Sequence, residues 1–397
     1  MILANIKDCT ACMACVDICS HQALSATIDA NGYYKVLTNK NACVSCGLCS
    51  KICPILNPLN TIQDSSQPFA VWNNDSIFRA KSASGGAFSA VALTILERGG
   101  VVYGAAISGF KIIHRRITST GELIDLLGSK YQQSETVGVY RQVRQDLKDG
   151  KIVLFSGMAC QIAGLISFLR NTDCRKLYTI DTICGGVSTM LPMLSLEESG
   201  KYVSIYSFRD KKIVGGWRSR GFKYALQMQN REGSIENLGL DNIMVLNTFS
   251  SKLLKRSSCL DCHFTGQNHF SDCTIGDFWG DSNFVDQHSK GVSLMILHND
   301  RFAHLIETAP LSMHRVDFED FIPYNHNYIW SNQSFIRYFI SRKIALWAMK
   351  KKYWKIAKYL MSPKSISGII MSLYLKINDL SYRKAYRNFL QSNSSQR

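Results

Sequence analysis

CTACMACVDICS (residues 9–20) and CVSCGLCSKICP (residues 43–54) decide the first part of the fold. Cys9, Cys12, Cys15 and Cys19 follow a C-x2-C-x2-C-x3-C spacing, and Cys43, Cys46, Cys49 and Cys53 repeat it and end on Pro54. Three closely spaced thiolates wrap one corner after another of a 4Fe-4S cubane, and the fourth of each run reaches the other cubane. This rule assigns Cys9, Cys12, Cys15 and Cys53 to one cluster and Cys43, Cys46, Cys49 and Cys19 to a second. Two structural zinc sites are the bland alternative, but zinc takes cysteine pairs separated by a longer gap.

The doubled run is that of a bacterial two-cluster ferredoxin, and it bounds a small domain at residues 1–60. Ser20 stands where a proline would follow the first run, which weakens that turn without touching a ligand. Between the runs, ALSATIDANGYYKVL alternates apolar and polar residues around Asn31-Gly32 and predicts a hairpin. Residues 55–68, rich in proline and polar side chains, read as a linker.

The chain has 397 residues, so most of it lies beyond this module and is long enough for a large domain of its own. With 46% hydrophobic and 19% charged residues, the composition is that of a folded protein, not a disordered one. Fourteen cysteines in a large chain, behind an N-terminus without a basic stretch and apolar run, argue against a secreted disulfide scaffold. The expected home is a reducing cytoplasm. The longest apolar stretches, at 85–96 and 366–377, are too short to span a bilayer.

The formal charge is +16, from 46 Lys and Arg against 30 Asp and Glu. Each oxidised cluster with its four thiolates carries about −2, so three clusters leave roughly +10. That excess suits an acidic redox partner, an anionic small molecule or an anionic membrane face. No nucleic-acid-binding motif accompanies it, so nucleic acid is not expected.

KSASGGAFSAVALTILERGG (81–100) predicts a glycine turn feeding a helix, with the strand VVYGAAI (101–107) after it. Helix 136–150, strand 151–155, helix 161–170 and strand 176–181 continue the alternation, which is α/β. Ser84, Gly85 and Gly86 at a helix start suit a diphosphate or serve as a plain cap. Cys160 and Cys184 fall in equivalent loops after two strands, where open sheets place ligands, and SSCLDCHF adds Cys259 and Cys262. These four are candidate ligands of a third cluster; Cys273 is a rival, and Cys174 reads as a plain thiol.

The stretches SASGGAFSA (82–90), GSKYQQS (128–134), FSGMACQIAGL (155–165), DTICGGVST (181–189), FRDKKIVGGW (208–217), LLKRSSCLDC (253–262) and CTIGDFWG (273–280) occur in one order. With the N-terminal module, the chain over about residues 1–330 resembles the beta-subunit family of coenzyme F420 hydrogenases and dehydrogenases. That family includes a reductase of 7-hydroxymethyl chlorophyll and bacterial proteins from polysaccharide gene clusters. The resemblance implies FAD and a third 4Fe-4S cluster on Cys160, Cys184, Cys259 and Cys262, within a domain at 69–330. Met158-Ala159 replaces the family's threonine-proline before Cys160, and Cys273 stands where relatives have alanine.

For the flavin, the expected contacts are Ser84, Gly85 and Gly86 at the diphosphate, and Lys130, Tyr131 and Ser134 near the ring or ribityl chain. Gly157 and Gln161 border cluster and flavin, and Asp277 with Trp279 shapes the pocket. A surface lysine, and an aspartate capping a turn, are the bland readings of Lys130 and Asp277. Arg209, Lys211, Lys212, Arg218 and Arg220 read either as a positive rim for an anionic substrate or donor, or as a solvated hairpin. His21, His114, His263 and His269 are proton-donor candidates by residue type alone.

The leading expectation is an oxidoreductase that passes electrons from ferredoxin through the clusters to FAD and an organic substrate, in polysaccharide or cell-surface metabolism. The alternatives are a dehydrogenase subunit for F420 or another hydride carrier within a larger complex, and a non-catalytic electron conduit. Residues 331–397 mix basic and apolar side chains at helical spacing and form a basic amphipathic extension. It would pack on the main domain, lie peripherally on the inner face of the membrane, or join an oligomer.

Overall fold

The computed structural model describes residues 3–5, 7–60, 66–211, 217, 226–238, 244–265, 270–280, 284–329, 340–362, 365 and 369. Each N-terminal cysteine run folds as a loop closed by a short helix, α1 (Ala14–Ile18) and α2 (Leu48–Lys51). Between them β1 (Leu24–Ile28) and β2 (Tyr34–Thr38) pair antiparallel, as the Asn31-Gly32 turn predicts. The Asp29 carboxylate accepts the amides of Asn31 and Tyr33, and Gly32 turns at φ +77°. A Cβ on Gly32 would lie 2.5 Å from Thr189 Oγ1, so the hairpin tip is wedged against the rest of the chain.

The large domain opens with β3 (Gln67–Asn73), which takes in Pro68 from the expected linker. Then come α3 (Ser76–Lys81), α4 (Ala87–Glu97), β4 (Val101–Ser108), β5 (Lys111–Ile117), α5 (Val139–Lys148), β6 (Val153–Met158), α6 (Ala159–Phe168) and β7 (Leu177–Thr182). After β7 follow α7 (Leu191–Glu198), β8 (Tyr202–Ser207), β9 (Gln227–Asn230), β10 (Ile235–Asn237) and α8 (Met244–Ser250). The chain continues through β11 (Cys273–Asp277), β12 (Ser293–Leu297), α9 (Asp300–Ile306), β13 (Leu311–Arg315) and α10 (Phe318–Phe321), and ends its described helices with α11 (Ile340–Lys350) and α12 (Trp354–Met361).

One eight-stranded sheet has the order β13-β3-β12-β11-β7-β6-β4-β5. Its middle, β11-β7-β6-β4, is parallel, and both flanks are antiparallel. Parallel central strands need both faces covered, and their near-continuous apolar runs, such as Val153, Leu154 and Phe155, are fully buried. The strand expected at 151–155 runs on to Met158 because Gly157 and Met158 pair with Asp181 and Thr182 of β7. That extension carries β6 to the start of α6 and so positions Cys160.

The N-terminal module shares a core with this domain: Cys12, Ala14 and Ile52 belong to the buried cluster of Tyr103, Tyr140, Phe155 and Ile162. Asp17 is buried at the start of α5, where its two carboxylate oxygens accept the amides of Gly138 (2.6 Å) and Tyr140 (3.0 Å). A carboxylate there satisfies two orphan helix amides and meets the positive end of the helix dipole, together worth about 1 kcal/mol or more. Arg256 donates to the carbonyls of Cys9 and Tyr34, Gln133 to those of Thr10 and Ala11, and Thr136 to that of Cys12.

The C-terminal helices α11 and α12 pack on Leu253, Leu254 and Leu260 through Ala345, Ala348, Met349, Ala357 and Met361. Arg342 is buried and donates to the carbonyls of Leu253 and Lys255, fixing the loop that leads to Cys259. Packing on the main domain thus accounts for one face of the extension; its continuation at 370–397 lies outside the described residues.

Candidate redox site

The two N-terminal runs repeat in backbone as well as in sequence. Ala11 and Met13 flank Cys12 at φ 54° and 64°, and Ser45 and Gly47 flank Cys46 at 55° and 77°. Three of those four residues carry a side chain, and such a left-handed backbone costs energy unless its surroundings over-determine it. Consecutive left-handed turns point amides into a concavity that favours an anionic group, which is what a thiolate-bound cubane presents. Cys19, Cys43, Cys46 and Cys49 line one small cavity, with His21 on its wall. Burial first, then the neighbouring thiols of Cys9 and Cys53, pushes the Cys12 thiol up to about 12, which puts Cys9, Cys12 and Cys53 side by side. Burial and the thiols of Cys12, Cys9, Cys53 and Cys49 raise Cys15 in the same way. The thiols beside Cys12 belong to the first expected set, and those beside Cys15 add Cys49, which the spacing assigns to the second.

A third set forms inside the large domain. Cys160 on the first turn of α6, Cys184 after β7, and Cys259 and Cys262 in the loop after α8 line one cavity together with Thr10 of the N-terminal module. The loops converge because Arg256 N–H donates to Val187 O (2.7 Å) and Thr189 N–H to Leu254 O (3.1 Å). Gly186 N–H points at Cys184 Sγ (3.3 Å) and Val187 N–H at Cys259 Sγ (3.4 Å), the hydrogen bonds that stabilise thiolate sulfur in cluster sites. Burial, then the thiols of Cys262, Cys184, Cys259 and Cys12, hold the Cys160 thiol well above its usual range, so the first N-terminal set and the third set adjoin. Among the described residues, no group of three or more His, Cys, Asp or Glu side chains converges as ligands of a single ion. A 4Fe-4S cubane takes four thiolates, one at each iron, and four cysteines line the inner cavity. Cys273 is fully buried in the sheet core, away from these loops, and Cys174 Sγ donates to Thr172 O.

Lys255 lies against the same set. Its side chain meets Gly186 so closely that a Cβ there would be 2.9 Å from Lys255 Cδ and 3.1 Å from Cys259 Cβ. Burial lowers the Lys255 amine to about 8, against the pull of the Cys259, Cys184 and Cys262 thiols.

Cys184, Met158 and Ile183 also line a second, larger cavity of about 510 Å³, the size of a cofactor site. Its wall includes Ser84, Gly86, Lys130, Tyr131, Ser134, Gly157, Gln161 and Asp277 from the sequence expectation. Gly85 is not on that wall: its Cα lies between β3 and β12, where a Cβ would be 2.5 Å from Val71 O and Ser293 N. Ser84 Oγ donates to Val292 O, and Gly86 caps α4 at φ +90°. The Gln161 amide is spent internally, donating to Ser134 O and Oγ and accepting Met158 N–H. Lys130 Nζ donates to the carbonyls of Leu126 and Leu127, and burial, against the pull of Asp125, lowers it to about 7.

The two described residues of the expected positive rim, Arg209 and Lys211, are interior. Arg209 is buried and pairs with Asp277 (2.9 Å), which also accepts Trp217 Nε1–H (3.2 Å), and Trp217 stacks on Trp279. Lys211 is buried and donates to the carbonyls of Arg79, Ser84 and Lys290, so it pins the Ser84 turn instead of facing solvent. Lys212, Arg218, Arg220 and His269 lie outside the described residues. His263 is exposed.

Residues 150–321 match the model for the C terminus of the coenzyme F420 hydrogenase/dehydrogenase beta subunit, and residues 8–56 match that of a 4Fe-4S dicluster domain. The chain matches the coenzyme F420 hydrogenase/dehydrogenase beta-subunit family. It is a redox-active iron-sulfur protein with a catalytic role of that family's kind. No curated protein sequence matches it. Among solved structures, a chain of the F420-reducing NiFe hydrogenase complex from Methanosarcina barkeri aligns at 12% identity over 74% of this chain and 92% of its own, with a TM-score of 0.42.

Several polar groups of this site lie outside the sequence expectation or enter it only by residue type. His114 lines the cavity, stacks on Phe155 and bonds Ser156 O through Nε2 (3.0 Å), while its Nδ1 is buried with no partner. Burial lowers it to about 4, so the ring is neutral and Nδ1 is an acceptor. Gln132, in the GSKYQQS stretch beside the expected Lys130 and Tyr131, is buried on the same wall with neither amide atom partnered. Asn325 adds an unpartnered Oδ1. Buried polar atoms are rarely left unpaired in a native protein, so these three sides of the cavity fit a polar ligand such as FAD. Its place within GSKYQQS was the one signal available for Gln132, and Asn325 had none.

Proposed function

We infer that the chain is a hydride-carrier dehydrogenase subunit that exchanges electrons between a redox partner protein and coenzyme F420 or a similar soluble carrier. One observation carries this reading: a cysteine-lined cavity shares Cys184, Met158 and Ile183 with a cofactor-sized cavity, and its Cys160 adjoins Cys12 of the N-terminal module. Cys9, Cys12, Cys15 and Cys53 would hold one cluster, Cys43, Cys46, Cys49 and Cys19 another, and Cys160, Cys184, Cys259 and Cys262 a third. Ser84, Gly86, Lys130, Tyr131, Gln132 and Ser134 would hold FAD, which supplies the junction between one-electron and hydride chemistry.

The chain's own side chains contribute order and dryness. Lys211 and Val292 fix the Ser84 turn, Gln161 ties Met158 to Ser134, and the neutral His114 offers an acceptor without a charge. The match to F420 hydrogenase and dehydrogenase subunits favours a carrier over an organic end-substrate reduced by ferredoxin. The deciding experiment is anaerobic purification with iron, sulfide and flavin measured on one sample, followed by mixing with reduced F420 and, separately, reduced ferredoxin. About twelve irons and one FAD, with flavin bleaching by F420, support the reading. Bleaching by ferredoxin alone transfers it to an organic-substrate reductase, and about eight irons without flavin removes it.

A further inference from the structure

Among the described residues, the helices α11 and α12 bury one face and leave the other open. Exposed on it are Ile340 (73%), Ile344, Trp347 (48%), Tyr353, Ile356 and Tyr359 (59%). The first three recur at helical spacing along one stripe of α11, and Ile356 and Tyr359 do so on α12. Exposed Lys343, Lys350, Lys351, Lys352, Lys355 and Lys358 are interleaved with them. Between Asp320 and Asp379 the sequence holds no aspartate or glutamate. An acid that answers this face from elsewhere is Glu198 of α7, 2.9 Å from Lys352.

An exposed face of this kind is unfavourable in water and needs an occupant. A core-like protein interface would be depleted of lysine, whereas a helix lying in a bilayer surface combines apolar and aromatic anchors with a lysine-rich border. Tryptophan and tyrosine suit the headgroup level, and Trp347 and Tyr353 stand together with ring centroids 5.5 Å apart. At 11 and 8 residues neither helix reaches across a bilayer, and among the described residues no helix is long and apolar enough to do so. Arg342, buried under the same helix, fixes α11 to the loop before Cys259, so the face is rigidly joined to the redox domain.

We propose that the exposed face of α11 and α12 docks the protein on an anionic lipid bilayer, with Trp347, Ile344 and Ile356 at the acyl boundary and the lysines at the headgroups. The proposal does not depend on which cofactors or carriers the protein uses.

The test is flotation of the anaerobically purified protein with vesicles of phosphatidylcholine alone or mixed with phosphatidylglycerol. The expected result is flotation with the mixed vesicles only, abolished by high salt. Lys350→Glu/Lys351→Glu should weaken partitioning by at least about twentyfold, near fivefold for each lysine lost. Trp347→Ser/Ile356→Ser should weaken it without changing the salt dependence. All four positions are exposed, and unchanged iron content with an unchanged visible spectrum establishes that each variant is folded. No flotation with anionic vesicles, equal flotation with neutral ones, or variants that float like the parent would each overturn the proposal. Self-association through this face, seen as a lysine- and Trp347-dependent dimer that excludes vesicles, would overturn it too.

Discussion

The outer N-terminal cysteine set and the set inside the large domain hold four thiols each and are built in opposite ways. Cys43, Cys46 and Cys49 lie within seven residues, in a loop where Cys46 and Val44 are exposed. Cys160, Cys184, Cys259 and Cys262 come from three segments spread over a hundred residues and meet only where the parallel strands β6 and β7 end. A local loop closes at little entropic cost, whereas the inner set requires the sheet, the α8 loop and the α11 clamp to be in place. The outer set is therefore a property of a short segment, and the inner one a property of the whole domain.

Removing one thiol from each is the strongest way to break this comparison. Cys46→Ala should cost about four irons and leave flavin content untouched, because its cavity is local to the N-terminal module. Cys160→Ala should cost about four irons and most of the flavin as well, since the Cys184 loop walls both inner cavities. Iron, sulfide and flavin measured per chain on anaerobic samples separate the two. Equal flavin in both variants would mean that the inner cavities are independent.

The same contrast explains what was legible in the sequence. The outer and first sets could be assigned to clusters from spacing alone, because a doubled C-x2-C-x2-C-x3-C run carries one crossed assignment, three ligands from its own run and the fourth from the other. The inner set offered only two strand-end cysteines and one pair, and needed a family resemblance to be joined. The burial of Arg209 and Lys211 was not legible, because a basic run in isolation reads as solvated, whether rim or hairpin; their partners, Asp277 and the carbonyls of Arg79, Ser84 and Lys290, lie far off in sequence. The alternation of strands and helices gave the central sheet, while the antiparallel flank formed by β3, β12 and β13 had no local pattern that fixed its pairing.

A single methyl group tests how tightly the two regions are joined. Gly164 lies in α6, where alanine would ordinarily stabilise a helix by about 1 kcal/mol. Here a Cβ would sit 2.9 Å from Cys12 Sγ, 3.0 Å from Cys12 Cβ and 3.3 Å from the Tyr140 hydroxyl. Cys12 cannot retreat while its loop is held by Thr136 and Gln133, so Gly164→Ala should destabilise the protein by about 1–3 kcal/mol. Anaerobic denaturant unfolding reads the change. A variant as stable as the parent would show that the N-terminal module rides loosely on α6.

The smallest effect probes how dry the inner region is. His114 has a native pKa lowered to about 4 by burial, with Lys130 adding to the shift and the Ser156 carbonyl opposing it. Between that value and the unfolded value near 6.5, the unfolded chain binds more protons than the native one, so stability rises with pH across the window. At about pH 5.5 the unfolded ring is charged roughly tenfold over neutral and the native ring is almost wholly neutral, a penalty of about 1.4 kcal/mol that vanishes above the unfolded pKa. His114→Phe keeps the stacking on Phe155 and removes the titration, at the pH-independent cost of the bond to Ser156 O. The stability difference between parent and variant should therefore narrow by about 1.4 kcal/mol from about pH 7.5 to about pH 5.5 in anaerobic denaturant unfolding. A difference that stays constant would mean that His114 accepts its proton in the folded protein. Water would then reach the inner cavity as it reaches Cys46, and the contrast between a wet outer set and a dry inner one would fail at its most sensitive residue.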